Sequence, residues 1–148
     1  MPICNNALNV FLTIFCRIDN KIMTELRTLI SEVANKAIGA GLIGIVISDK
    51  DGVPVLKIAG DANSPMMEGC FRHQFLSVCS TLQEHALKMC LGPTGSITAT
   101  FDDYQVIHCY HSSLILTIIA SNEALTGQLM NLSNTLKPLI TDMASAVA

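Results

Sequence analysis

Two apolar, β-branched runs, Leu42 to Ser48 and Val53 to Ala59, flank Asp49-Lys50-Asp51-Gly52. The Asp51-Gly52 step can supply the positive φ that a tight reversal demands, so the pattern predicts a β-hairpin. The first run is so continuously apolar that both of its faces must be covered, which places it centrally in a sheet. The second carries Pro54, which cannot donate to a ladder, and Lys57, which discourages stray pairing, so it belongs at an edge. Upstream, Leu26, Leu29, Ile30, Val33, Ala37 and Ile38 recur at helical spacing after an N-capping Thr24, with Gly39 and Gly41 as breakers. Downstream, Met67 to Leu91 have the length of a long helix stopped by Gly92-Pro93. Ser96 to Phe101, Tyr104 to Tyr110 and Leu114 to Ala120 read as a three-stranded meander turning at Asp102-Asp103 and His111-Ser112-Ser113. From Asn122 onward, Leu125, Leu129, Leu132, Leu136, Leu139, Ile140 and Met143 give a terminal helix interrupted or bent near Pro138. The predicted order is helix, two strands, helix, three strands, helix, an α/β (α+β) architecture with one antiparallel sheet.

Two features of this pattern lead beyond a self-contained fold. In the Met67 to Leu91 helix, Phe71, Phe75, Val78, Leu82 and Met89 form one apolar stripe, and Leu76, Cys79, Ala86, Leu87 and Cys90 widen it. A helix lying on its own sheet needs a stripe of only about 100°, so the excess predicts a second contact. In the strand from Ser96 to Phe101, Ile97, Ala99 and Phe101 alternate with Ser96, Thr98 and Thr100, and no Lys, Glu or Pro interrupts them. With Leu42 to Ser48 and Leu114 to Ala120 in the middle, this strand falls at the second edge, and it is unguarded. An edge left open is a template for another chain, which predicts association by sheet extension there.

Composition narrows the classes. A chain of 148 residues, 50% hydrophobic and 14% charged, suits one domain with a real core. The net charge of −3 provides no basic field and argues against nucleic acid as a partner. The apolar run Ala7 to Cys16 has no Lys or Arg before it and is about half the roughly 20 residues of a membrane helix, so it reads as neither signal nor anchor. Residues 1–22 are expected to be an N-terminal extension poorly integrated with a domain spanning 23–148. Of the six cysteines, Cys70, Cys79 and Cys90 fall in one helical segment and read as small buried hydrophobes, and no Cys-x-x-Cys occurs, so a reducing environment fits better than a disulfide framework.

Candidate chemistry changes this little. Gly39-x-Gly41-x-x-Gly44 matches a dinucleotide fingerprint in letters, yet it follows a helix and opens a strand, the reverse of the context in which free amides meet phosphate. Asp49-x-Asp51-Gly52 lacks the remaining ligands of a calcium loop. His108 and His111 stand three apart on a strand and therefore face opposite sides. Asp102-Asp103 reads as a turn rather than an acid/base pair, and His73 and His85 lie on the polar side of their helix. No catalytic, cofactor or metal site is assigned, and the expectation is a docking protein, not an enzyme.

Taken together, Ile45 to Lys57, Tyr104-Gln105-Val106, Ile119-Ala120-Ser121 with Thr126-Gly127, and Pro138-Leu139 resemble the roadblock family, in particular the MEK-partner scaffold subunits of the lysosomal Ragulator complex. The likeness runs from roughly Thr24 to Val147. It implies a roadblock/longin-like fold, a five-stranded antiparallel sheet with one helix on one face and two terminal helices on the other. It further implies pairing with a second roadblock subunit through the open strand and middle helix, here Phe71, Phe75, Val78 and Leu82 with Ser96, Ile97, Thr98, Ala99, Thr100 and Phe101. A lipidated membrane-anchoring subunit, Rag GTPases, and the MEK and ERK kinases are the further partners implied. The setting is the cytoplasmic face of late endosomes and lysosomes, with the membrane touched only indirectly and amino-acid signalling to the target-of-rapamycin kinase as the output. Two other readings keep the same residues in view: a trafficking adaptor like the dynein roadblock light chain, and a small sensor binding a nucleotide near Gly39 to Gly44.

Overall fold

The structure, a computed structural model, describes residues 20–37, 41–59 and 73–147. Its elements run α1 (Asn20–Ala37), β1 (Leu42–Asp49), β2 (Pro54–Ala59), α2 (His73–Leu87), β3 (Ser96–Thr100), β4 (Tyr104–His111), β5 (Leu114–Ser121) and α3 (Thr126–Val147). The five strands form one antiparallel sheet in the order β2-β1-β5-β4-β3. The continuously apolar strands β1 and β5 therefore lie inside, and the Pro54 and Ser96 strands take the two edges, as their patterns require.

Each face of the sheet is closed by a different helix set. Ile45 and Ile47 of β1, Ile107 and Cys109 of β4, and Leu116 and Ile118 of β5 pack against Ile30 of α1 and against Leu129, Leu132, Leu136, Ile140 and Met143 of α3. The α3 positions step by three and four, so one stripe faces the sheet while Asn131, Thr135 and Thr141 stay exposed. On the opposite face Val46, Val106 and Ile119 meet Leu76 of α2. Among the described residues this second core is the smaller one, with one helix over this face and two over the other.

Several expectations about boundaries are corrected. α1 begins at Asn20, so Thr24 is an interior helical residue whose carbonyl accepts from Thr28 Oγ1 at 2.8 Å, not an N-cap. α2 ends at Leu87, short of Gly92-Pro93, because the chain turns out of the helix through Cys90 (φ 57°) and Gly92 (φ 106°). Cys90 is consequently exposed, not a buried hydrophobe, whereas Cys79 is buried as expected. α3 starts at Thr126, which leaves Leu125 outside the stripe and exposed. It then runs unbroken through Pro138, whose ring sits on the solvent side and whose missing N–H removes only the donor to the Asn134 carbonyl. Residues 1–19, Gly39, and 60–72 with Phe71 and Cys70 lie outside the described residues.

Candidate partner interface

The open edge is set by the ladder between β3 and β4. Tyr110 N donates to Gly95 O at 3.0 Å and Phe101 N to Tyr104 O at 2.8 Å. In an antiparallel pair, hydrogen-bonded and non-bonded positions alternate. The odd residues Ile97 and Ala99 thus share the bonds with β4, and the backbone N–H and C=O groups of Ser96, Thr98 and Thr100 point away from the sheet. No described strand pairs with that outer row.

The side chains of β3 divide the same way. Ile97 stands beside His108 and Ala99 beside Val106, so both are on the α2 face, and both are half-buried. Ser96, Thr98 and Thr100 stand on the α3 face and are exposed. Phe101, 46% exposed, stacks on Tyr104 with ring centroids 4.8 Å apart and planes 21° from parallel, closing the end of the strand with an aromatic pair.

α2 is held on its sheet by contacts at both flanks. On the hairpin side, Asp49 Oδ1 accepts from Asp51 N and Val53 N at 2.9 Å each, tightening the β1–β2 turn. Ser80 Oγ donates to Lys50 O in that turn. On the other side, Tyr110 OH donates to Cys79 O at 2.8 Å and the Phe75 ring lies 6.2 Å from that of His108. Ser77 and Ser80 therefore look toward the β1–β2 turn, at the far end of the strand order from β3. The opposite flank, with Phe75, Val78 and Leu82, is turned toward the open edge. Leu76 and Cys79 are fully buried between these flanks, and Val78 is 51% exposed. Leu87 at the end of the helix and Met89 and Leu91 past it are exposed too, Leu91 at 84%. Of the residues expected at a partner surface, Phe75, Val78, Leu82 and Ser96 to Phe101 are thus gathered on one side of the molecule.

Beneath α2 sits a buried polar knot that the sequence reading missed. His108 Nδ1 lies 3.1 Å from Cys79 Sγ and 3.1 Å from Thr117 Oγ1. A cysteine beside a histidine invites the thought of a nucleophile, but burial decides otherwise. Desolvation lifts the Cys79 thiol to about 11 and drops the His108 imidazole to about 4, so both are neutral near pH 7. Burial likewise raises Tyr110, whose hydroxyl stays a donor. The knot is a neutral fastening between helix and sheet. Its one sequence signal was polar residues at inward positions of apolar strands.

Among the described residues there is no group of three or more His, Cys, Asp or Glu placed to hold a metal ion, and no helix long and apolar enough to cross a membrane.

Comparison with known proteins bears on the fold and the family. Residues 20–147 match the family described as mitogen-activated protein kinase kinase 1 interacting. The Ragulator complex protein LAMTOR3 of Tetraodon nigroviridis is 37% identical over 107 residues, covering 72% of this chain and 84% of that protein. Among solved structures, MglB of Myxococcus xanthus superposes with a TM-score of 0.63 at 12% identity, covering 80% of this chain and 97% of that one. The Roadblock/LC7 domain of Streptomyces avermitilis does so with 0.50 at 14% identity, covering 68% and 86%. The two structural likenesses establish the roadblock-like fold, and the sequence matches go further: this chain belongs to the family of mitogen-activated protein kinase kinase 1 interacting proteins.

Proposed function

We propose that this chain is a non-enzymatic scaffold subunit of a Ragulator-type complex, which pairs with a second roadblock subunit by adding that subunit's strand to β3. The observation that carries the reading is the coincidence on one side of the molecule of two unsatisfied features, the outward N–H and C=O groups of Ser96, Thr98 and Thr100 and the apolar flank of α2. One offers main-chain hydrogen bonds and the other apolar area, the two components of strand-addition binding. Relatives that are named as Ragulator complex proteins, and a family described by its kinase interaction, support the assignment. In the same reading the pair is anchored by a lipidated subunit, recruits Rag GTPases for signalling to the target-of-rapamycin kinase, and brings MEK to ERK on late endosomes and lysosomes.

Thr98→Pro tests it. The Thr98 N–H points outward, so proline there removes a donor to the partner while leaving the β3–β4 ladder intact. The variant is expected to keep its helical circular dichroism and to lose co-purification with a roadblock partner co-expressed with it. Undiminished co-purification would overturn strand addition at β3.

A further inference from the structure

The outward groups of β3 are spaced to meet a copy of themselves. Ser96, Thr98 and Thr100 direct N–H and C=O away from β4, and Thr98 stands midway between the other two. An antiparallel neighbour related by a two-fold axis at Thr98 places Thr98 opposite Thr98 and Ser96 opposite Thr100. At all three positions the facing residues then exchange both backbone hydrogen bonds. Moving the axis to Ile97 or Ala99 matches two of the three and leaves the last against the loop or the turn.

The side chains fit the same register. On the α3 face it sets Thr98 beside Thr98 and Ser96 beside Thr100, hydroxyl pairs of the kind that stabilise an antiparallel ladder. On the α2 face it sets Ile97 beside Ala99 and Phe101 beside Gly95. Phe101 is exposed, and a Cβ built on Gly95 meets nothing within 4 Å. The ring of one copy therefore covers the bare backbone of the other, as an aromatic across from an edge glycine does.

Charge is compatible with this pairing. Residues 94–101 contain no Asp, Glu, Lys, Arg or His, so the axis opposes no like charges. Asp102 and Asp103 fall beside Thr94 and Pro93 of the other copy, in a stretch, 88–95, that holds Lys88 and no acidic residue. The same axis brings the α2 flank with Phe75, Val78 and Leu82 toward its own copy, on the face that carries Phe101.

We infer that the chain, when free of other subunits, pairs with a second copy of itself through β3 in this register. The assembly closes at two, because the edge left on each copy is β2, which carries Pro54 and Lys57. The inference rests on the reading of β3 as a strand-adding edge and gives that edge a second occupant. A roadblock subunit then binds by displacing the copy, and its apparent affinity falls as the concentration of the chain rises.

The test is sedimentation equilibrium of the purified full chain without a partner. A reversible dimer at micromolar concentration is expected. Thr98 is exposed, so Thr98→Asp and Thr98→Lys keep the fold, which circular dichroism verifies. Each variant alone opposes two like charges across the axis and should weaken the dimer about fivefold or more, whereas an equimolar mixture of the two restores it. A wild-type chain that stays monomeric at hundred-micromolar concentration overturns self-pairing, and charged variants that dimerise as well singly as mixed overturn the register. Co-purification of Thr98→Pro with a roadblock partner separates this inference from the reading beneath it. A monomeric wild type together with loss of the partner from Thr98→Pro sinks self-pairing alone, and a dimer centred on Thr98 together with a retained partner sinks addition of the second subunit alone.

Discussion

Gly52 and Ser77 are in backbone contact: a Cβ built on Gly52 would lie 2.8 Å from Ser77 N and 3.1 Å from its Cα. Gly52 also sits at φ +80°, a region L side chains rarely adopt. The β1–β2 turn is thereby seated against the backbone of α2, with Ser80 donating into the same turn. Gly52→Ala meets both obstacles at once. It is expected to lose about 2 kcal/mol or more of stability in urea unfolding, and because the clash is with helix backbone, no side-chain rotation relieves it.

The buried knot under α2 makes stability depend on pH. His108 is held at about 4 against an ordinary 6.5, so between these values the unfolded chain binds the proton that the folded chain refuses. Stability attributable to this group is fully present above pH 6.5 and declines as pH falls toward 4. The decline is at most about 3 kcal/mol, since a tenfold difference in proton affinity between the folded and unfolded chain is worth about 1.4 kcal/mol. Urea midpoints taken at several pH values from 7 to 4 should show this slope, and His108→Leu should flatten it.

Leu76 and Val78 stand two residues apart on α2 with opposite roles. Leu76→Ala opens a cavity in the small core formed with Val46, Val106 and Ile119, and should cost about 2–5 kcal/mol in chemical unfolding. Val78 is half exposed. Val78→Asp should change stability by no more than about 0.5 kcal/mol yet weaken partner binding in a pull-down, because it places a charge in an apolar contact.

Gln105 ties the sheet to the start of α3. Its Nε2 donates to Ala124 O at 2.8 Å and Ser121 O at 3.2 Å, and its Oε1 accepts from Thr126 Oγ1 at 2.8 Å. Gln105→Leu leaves the Ala124 carbonyl and the Thr126 hydroxyl without this partner. A loss of about 1–3 kcal/mol is expected, with amide hydrogen exchange fastest in the first turn of α3.

Some of this was legible in the residues and some was not. The alternation of Ile97, Ala99 and Phe101 with hydroxyl residues, and the Pro54–Lys57 strand, marked the two edges correctly, because edge and centre differ in how many strand faces and backbone groups must be covered. The ends of α2 and α3 were misjudged, since Gly92-Pro93 stops any helix still running but cannot tell that it stopped at Leu87, and Pro138 on the solvent side of α3 breaks nothing. His108 was weighed only against His111, its neighbour in sequence, while its contacts, Cys79 and Thr117, come from another helix and another strand.

Local periodicity therefore determined the order of elements, the core strands and the open edge, for it depends on the spacing of apolar residues along one segment. It could not determine which apolar arc of α2 lies on the sheet. Phe75, Val78 and Leu82 and Leu76 and Cys79 are equally apolar, and the choice was made by what the other elements offered: a turn whose glycine receives Ser77, and a tyrosine and a histidine that meet Cys79. Those contacts rotate the helix until one apolar flank is left over beside the unpaired strand, a relation between distant segments that no single stretch of sequence contains.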